Sequence, residues 1–191
     1  MNPETWIVLL SIILVVLIYI GIRPLVRSWP KEKIHMDIDE FGKWLYDKTG
    51  ETNRFIEIMS GELPPQVYDP IAERLIGKPE IMVRVLTEKT VLCKDNRDHN
   101  KLVNDAFSGH ARNIELRTLE ILPKNHVKIF DRKLAWVEDP HPHGGSQPYR
   151  EGIIVEDPTK VSVCITDFDW YWKRAVRERP ICIRPQTATK G

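Results

Sequence analysis

The sequence predicts an α/β domain with one mixed β-sheet flanked by helices, preceded by a single transmembrane helix. Three observations lead to this prediction. Strand-like and helix-like runs alternate between residues 55 and 119, which is typical of parallel strands joined by helices. Three more strand-like runs and a long amphipathic run follow between residues 126 and 177. The chain begins, in contrast, with a long uncharged apolar stretch.

The composition is that of a folded protein. Of the 191 residues, 42% are hydrophobic and 29% are charged, which argues against disorder, a collagen-like repeat and a multi-span transporter. A formal net charge of +1 gives neither the basic excess of many nucleic-acid-binding proteins nor an acidic tail. Cys93, Cys164 and Cys182 cannot all pair and form no Cys-x-x-Cys motif, so a disulfide scaffold is excluded and a reducing compartment is favoured.

Residues 1–22 are predicted to be a membrane anchor. As a helix, the uncharged run from Trp6 to Ile22 would be about 26 Å long, nearly the thickness of the hydrocarbon core. No basic residue precedes it, whereas the linker at 23–35 is basic, so the positive-inside rule places the N-terminus outside and the body in the cytoplasm. A cleaved signal peptide is the alternative, but its basic start and Ala-x-Ala site are missing. The sequence thus predicts a single-pass protein of the cell membrane, with the lipid bilayer as a partner.

The body is predicted to be one domain over residues 36–180, with a tail at 181–191. A helix over 36–48, with Gly50 as a possible stop, precedes a strand at 55–59. The next helix is predicted to begin with Asp69 as N-cap and Pro70 in the first turn, and to end at Gly77. The further elements of this half are a strand at 81–86, a polar loop at 87–100, a helix at 101–107 and a strand at 113–119.

The C-terminal half is predicted to be a strand meander covered by a helix. Strand-like runs at 126–130 and 134–137 are joined by a tight Asp-Arg-Lys turn, and a returning strand follows at 152–155. Asp157 and Pro158 form an N-cap and first-turn pair, after which apolar residues recur at helical spacing. A long amphipathic helix should therefore pack on the sheet.

His126 and Lys128 are the residues best suited to chemistry. Alternation along a strand puts both on one face, with Cβ atoms about 6.6 Å apart. An imidazole can attack phosphorus and an ammonium can neutralise the non-bridging oxygens, so the pair suits reaction at one phosphate. The pattern alone leaves open the alternative of a half-exposed strand whose two polar side chains face water.

The stretch from residue 125 to residue 158, with the helix after it, resembles the phospholipase D superfamily, and the resemblance covers roughly residues 50–178. It implies a phospholipase D-like sheet and a phosphodiesterase activity in which His126 is the nucleophile. Lys128 would be the catalytic cation, and Gly145 and Ser146 would contribute to substrate binding. The matching pieces are His126, Lys128, Gly145, Ser146, the apolar strand at 152–155 and the aromatic-rich segment at 168–172.

The chain departs from the family pattern in three ways. Lys133 stands where the family has its Asp, and Pro148 stands where it has its Asn. The family joins two copies of the motif and this chain has one, so an active form would be a homodimer in which the two His126 side chains face one phosphate. The candidates for the acidic partner are Asp131, Glu138 and Asp139.

Two classes of function are consistent with these residues, and the sequence does not decide whether the chain is an enzyme. One is a membrane-anchored phosphodiesterase acting on a lipid or nucleic-acid phosphodiester; the other is a non-catalytic, membrane-tethered phosphate-binding or scaffolding module with a degenerate site. No cofactor is indicated. His141 and His143 would have to join His126 to bind a metal, but their Pro- and Gly-rich context completes no known ligand spacing, so no metal is expected.

Overall fold

The computed structural model describes residues 32–94, 101–108, 111–122, 126–138 and 148–177. The chain divides into two units at residue 32, and the sheet belongs to the second. Within the described ranges, no helix has both the length and the apolarity needed to cross a bilayer. The predicted anchor at 1–22 lies outside those ranges.

From residue 34 to residue 119, strands alternate with one or two helices; three more strands and a last helix follow, and the seven described strands form one sheet. The elements are, in order, β1 (Ile34–Asp37), α1 (Ile38–Glu51), β2 (Phe55–Met59), α2 (Pro65–Ile76), β3 (Met82–Glu88), α3 (Lys89–Lys94), α4 (Lys101–Ser108), β4 (Ile114–Leu119), β5 (His126–Phe130), β6 (Leu134–Glu138), β7 (Tyr149–Val155) and α5 (Pro158–Trp172).

The sheet has the strand order β1-β7-β6-β5-β2-β3-β4 and consists of two halves. In one half, β2, β3 and β4 are parallel neighbours, as the alternating pattern predicts. In the other, β5, β6 and β7 form an antiparallel meander, and β1 adds to its edge. The two halves join where β2 pairs antiparallel with β5, with Met59 opposite Val127. The predicted class, an α/β fold with a mixed sheet flanked by helices, is confirmed.

Alternation along β2 shows how the two faces of the sheet are covered. Ile56 and Ile58 belong to the core that contains residues of α1 and α2. Glu57 points to the other face, where it pairs with Arg84 of β3, and Arg84 in turn pairs with Asp169 of α5. Helices α1 and α2 therefore lie on one face and α5 on the other.

The starts of two helices show which cap signals were correct. Asp157 caps α5 as predicted, because its carboxylate accepts a hydrogen bond from the Lys160 N–H at 3.0 Å. Helix α2, in contrast, begins at Pro65, whose fixed φ suits a first turn. Asp69 lies inside α2, and its carboxylate accepts the backbone N–H of Lys101 at 2.7 Å, at the start of α4. The predicted cap at Asp69 was therefore wrong.

Three further features differ from the prediction. Helix α1 continues through Gly50 to Glu51 and has Thr52 as its C-cap, so Gly50 is not a helix stop; the Arg74 guanidinium lies against Gly50, where a Cβ atom would have no room. Strand β1, within residues 34–37, overlaps the end of the predicted linker and gains its stability from pairing with β7, which no local pattern reveals. Helix α3 lies in the predicted polar loop at 87–100.

Gly152 of β7 is a position where the sheet leaves no room for a side chain. A Cβ atom there would lie 2.5 Å from the Val137 carbonyl oxygen and 2.8 Å from the Trp136 indole. We expect Gly152→Ala to lower the free energy of unfolding by about 1–3 kcal/mol, because overpacking forces the indole or the backbone to shift. Urea denaturation measures this loss.

Gly42→Ala is the matched control, because Gly42 lies in α1 and a Cβ there meets Val67 at an ordinary 3.7 Å. Alanine in place of a helical glycine should raise the free energy of unfolding by about 0.5–1 kcal/mol. If both alanine variants lose stability equally, the effect at Gly152 does not come from steric overlap.

Candidate functional site

His126 and Lys128 lie on the same face of β5, as predicted, and this is the face covered by α1 and α2. The side chains are fully buried, with 0% of His126 and 1% of Lys128 exposed. The Lys128 ammonium lies 5.3 Å from the centre of the Phe41 ring of α1. The alternative in which both side chains face water is therefore wrong.

Glu138, the last residue of β6, is the acidic partner of this pair. The strand register places it directly opposite His126. Its carboxylate forms an ion pair with the Lys128 ammonium, and its Oε2 lies 3.8 Å from His126 Nδ1. Of the acidic candidates that the structure describes, Glu138 is the one that it brings to His126 and Lys128.

Asp131 has a structural role at the other end of β5. It occupies the β5–β6 turn in the left-handed region, with φ at 50°. Its carboxylate accepts the backbone N–H groups of Asn53, Arg54 and Phe55 at 3.0, 2.8 and 3.0 Å. Partial burial opposes ionisation, but these N–H groups outweigh it and hold the pKa of Asp131 below its usual value. Asp131 thus stabilises the β5–β6 turn against the start of β2. The prediction of Asp131 as an acidic partner of His126 and Lys128 is therefore corrected.

Several predicted residues lie outside the described ranges: Asp139, His141, His143, Gly145 and Ser146. Their roles stay predictions. Among the residues that the structure does describe, no group of three or more His, Cys, Asp or Glu side chains is placed to hold a metal ion.

Arg150 and Glu62 complete the site, and the sequence analysis missed both. Arg150, in β7, places Nε 3.1 Å from Glu138 Oε1 and Nη2 2.7 Å from Glu62 Oε2. Only 5% of Arg150 is exposed. Alternation could have located Arg150, because it lies two residues before Gly152, which pairs with Glu138 in the register. No such signal marks Glu62, which lies in the connection between β2 and α2.

We call these side chains the Glu138 cluster: His126, Lys128, Glu138, Arg150 and Glu62. Tyr68, in the first turn of α2, is buried close enough to the cluster for the charges of Glu138 and Arg150 to act on its phenol. Burial raises the pKa of the Tyr68 phenol, and the charge of Glu138 raises it further. The phenol therefore remains protonated at neutral pH and is a hydrogen-bond donor next to the cluster.

The charges of the Glu138 cluster compensate one another. Burial alone would raise the pKa of Glu138, but the charges of Lys128 and Arg150 outweigh it and hold that pKa below its usual value. Burial also lowers the pKa of the Lys128 ammonium, against the opposing effect of Glu138. Lys128 and Arg150 are formal cations and Glu138 and Glu62 are formal anions, so the formal charges of these four side chains sum to zero.

The cluster sits at the carboxyl end of β2, beside the start of β5. Ligand sites of α/β folds commonly lie at this edge of the sheet. His126, Lys128 and Arg150 converge on one carboxylate, and groups that surround a carboxylate in this way are also suited to the oxygens of a phosphoryl group. Nδ1 of the imidazole lies towards Glu138, and the other ring nitrogen, Nε2, is of the chemical type that acts as a base or a nucleophile.

Comparisons with known proteins identify the fold. No protein-family model matches the sequence, and no curated protein matches it either. The structure is similar to Nuc from Salmonella typhimurium, a phospholipase D family member, with a TM-score of 0.58 and 12% identity over 78% of this chain and 98% of Nuc.

Two further solved structures are similar. For NucT from Helicobacter pylori the TM-score is 0.55 and the identity 9%, over 77% of this chain and 99% of NucT. For TrmBL2, an archaeal chromatin protein with a novel mode of DNA binding, the TM-score is 0.56 and the identity 15%, over 92% of this chain and 67% of TrmBL2. Because the sequence identities lie between 9% and 15%, the comparisons establish the fold alone, and this fold is phospholipase D-like.

Proposed function

We propose that this chain is a membrane-anchored, phospholipase D-like phosphodiesterase that acts on a lipid or nucleic-acid phosphodiester through His126. One observation carries the proposal: His126, Lys128 and Arg150 converge on Glu138 at the carboxyl edge of a phospholipase D-like sheet. This arrangement supplies a nucleophile, two cations and an acidic partner within one cluster. The proposal also includes membrane attachment through residues 1–22 and a body in the cytoplasm. The support for these two parts is the sequence pattern, an uncharged apolar run followed by basic residues.

The proposed reaction has two steps. His126 Nε2 attacks phosphorus, the bond from phosphorus to the leaving oxygen breaks, and a phosphohistidine forms. Glu138 faces Nδ1, so it orients the ring and stabilises its developing positive charge. Lys128 and Arg150 neutralise the non-bridging oxygens, and Gly145 and Ser146 contribute to substrate binding. Water then attacks the phosphohistidine, which releases the phosphoryl product and frees the imidazole.

The leaving oxygen needs a proton, and the described residues offer one imidazole at the cluster. We propose that a homodimer supplies the second, so that His126 of the partner subunit protonates the leaving oxygen. The same imidazole then accepts a proton from the attacking water in the second step. The proposal thus requires two copies of the chain for one complete site.

A second candidate function is a non-catalytic phosphate-binding or scaffolding module. Burial of His126 favours it, because a phosphodiester cannot reach a side chain that has no exposed surface. Catalysis requires the cluster to open, whereas a scaffolding role does not. Turnover by the protein itself therefore separates the two candidates.

The test is a hydrolysis assay on the full chain in detergent micelles, with bis(p-nitrophenyl) phosphate, single-stranded DNA and phospholipid in mixed micelles as substrates. We expect turnover of at least one substrate, and a drop of about 10²–10³-fold in kcat in Lys128→Ala, because a charge that stabilises the transition state is removed. Lys133→Ala, which removes an exposed cation from the β5–β6 turn, should keep full turnover. Absence of turnover with all three substrates would leave the non-catalytic module as the function.

A further inference from the structure

We propose that the indole N–H of Trp136, in β6, donates a hydrogen bond to a phosphoryl oxygen of the ligand that binds at the Glu138 cluster. The inference rests on the proposed function in taking this cluster as the phosphate site. It goes further by adding an uncharged donor to a site whose other predicted phosphate contacts are cations. It leaves Glu138 in its place beside His126 Nδ1.

Trp136 Nε1 is a buried donor without an acceptor. The side chain has 0% of its surface exposed, and none of the described residues accepts a hydrogen bond from Nε1. Buried polar groups in folded proteins are nearly always paired, because an unpaired donor has lost its hydrogen bond to water and gained none in return. A phenylalanine could occupy an aromatic core position without this cost. The N–H is therefore best explained by an acceptor that a ligand brings.

The strand register places Trp136 next to the cluster. Trp136 is directly opposite Lys128 of β5, and Glu138 follows it by two residues on the same face of β6. The Phe41 ring is a neighbour of both Trp136 and Lys128, because its centre lies 5.7 Å from the centre of the Trp136 ring and 5.3 Å from the Lys128 ammonium. The indole and the ammonium are therefore placed to contact one ligand.

Gly152 of β7 gives the N–H-bearing edge of the indole its place. A Cβ atom at Gly152 would lie 2.8 Å from both Cε2 and Cζ2 of Trp136, so this edge of the ring lies over the glycine. Nε1 is bonded to Cε2 and belongs to the same edge. Gly152 pairs with Glu138, and Arg150, which also contacts Glu138, precedes Gly152 by two residues on the same face. The N–H thus lies on the side of Glu138 from which Arg150 approaches.

The chemistry of an indole N–H determines what Trp136 can do for a ligand. An indole is a hydrogen-bond donor only, and it does not give up its proton near neutral pH. Trp136 therefore binds an oxygen of the ligand, and protonation of the leaving oxygen stays with His126 of the partner subunit. A fixed donor is effective in a site without water, because no solvent competes for the acceptor. Since the indole has no exposed surface, the ligand meets it in the open form of the cluster that the proposed reaction requires.

The experiment removes the N–H and keeps the shape of the ring. Trp136→benzothienylalanine, made by site-specific incorporation, puts sulfur in place of the indole N–H, and Trp136→Phe is a second variant that also lacks the donor. The full chain in detergent micelles is titrated calorimetrically with inorganic phosphate at constant ionic strength. We expect both variants to bind phosphate about tenfold more weakly than the parent protein, because one hydrogen bond to a charged acceptor is lost.

Trp44→benzothienylalanine is the matched control. Trp44 belongs to the same aromatic group, with its ring centre 5.4 Å from that of Trp136, but it is half-buried and its N–H is not one of the buried donors without an acceptor. This variant should bind phosphate as tightly as the parent protein does.

The melting temperature separates a donor for a ligand from a structural donor. Without phosphate, Trp136→benzothienylalanine should melt at or above the temperature of the parent protein, because an unpaired buried donor has been removed. Phosphate should raise its melting temperature less than it raises that of the parent. A structural donor, such as one that holds a buried water, would instead lower the melting temperature of the phosphate-free protein when it is removed.

Four results would overturn the inference: no phosphate binding by the parent, equal affinities in the parent and the Trp136 variants, an equal loss in the Trp44 variant, or a lower melting temperature of the phosphate-free Trp136→benzothienylalanine. Hydrolysis of bis(p-nitrophenyl) phosphate by the parent, with unchanged phosphate affinity in the Trp136 variants, would refute the inference and leave the phosphodiesterase intact. A specific loss of phosphate affinity in a protein without turnover would support the inference and refute catalysis.

Discussion

Glu138→Leu is expected to lower the free energy of unfolding by about 3–5 kcal/mol, because it leaves Lys128 and Arg150 as buried cations with Glu62 as their remaining carboxylate in the cluster. Breaking a buried ion pair on one side costs this much, since the Lys128 ammonium then has neither water nor the carboxylate with which it pairs, whereas Arg150 keeps Glu62. Urea denaturation at neutral pH, followed by circular dichroism, measures the loss.

The double variant with Lys128→Met and Glu138→Leu is the control for this prediction. It removes both charges of the pair, while Arg150 keeps its contact with Glu62 at 2.7 Å. Replacement of a buried pair by apolar side chains is often neutral, so the double variant should regain most of the stability that Glu138→Leu loses. If the two single effects simply add, Lys128 and Glu138 are not energetically coupled.

The loss in Glu138→Leu should also depend on pH. Lys128 and Arg150 outweigh the effect of burial and hold the folded-state pKa of Glu138 below its unfolded value of about 4.3. The ionised carboxylate therefore stabilises the fold fully above that unfolded value, and this contribution is lost as the pH falls through the lower, folded-state pKa. The stabilities of the parent and Glu138→Leu should converge below about pH 4.

His126→Asn is expected to lower turnover of the best substrate by about 10³-fold or more, because an amide can hydrogen-bond to Glu138 but cannot attack phosphorus. The fold and its melting temperature should change little. His35→Asn is the matched control: His35 is exposed on β1, far along the sheet order from β5, and its replacement should leave turnover unchanged. If His126→Asn retains the parent's kcat, His126 is not the nucleophile.

Much of the fold could be predicted because its signals are local. The strand at 55–59 and the helix cap at Asp157 depend on alternation and capping, which neighbouring residues determine. Strand β1 could not be predicted, because its four residues are a strand only when paired with β7. The start of α2 was missed because two Pro-containing signals, at Pro65 and Pro70, lie close together and sequence alone does not rank them.

Part of the site could also be predicted, because that part too depends on a local sequence pattern. The shared face of His126 and Lys128 follows from the period of a strand. The choice of Glu138 among the acidic candidates depends on the strand register, and the partners of Arg150 come from distant parts of the chain. Burial of the pair depends on where α1 packs, which a local pattern does not specify.

The pairing of β2 with β5 has to form during folding before the Glu138 cluster is complete. Most other strand pairs join elements that are neighbours along the chain, whereas Met59 and Val127 are far apart in it. Closing such a long loop has an entropic cost, and non-local pairing slows folding. His126, Lys128, Glu138 and Arg150 come from the half after this junction, and Glu62 comes from the half before it. Neither half alone contains the complete Glu138 cluster, so Glu62 reaches its contact with Arg150 only when the two halves dock.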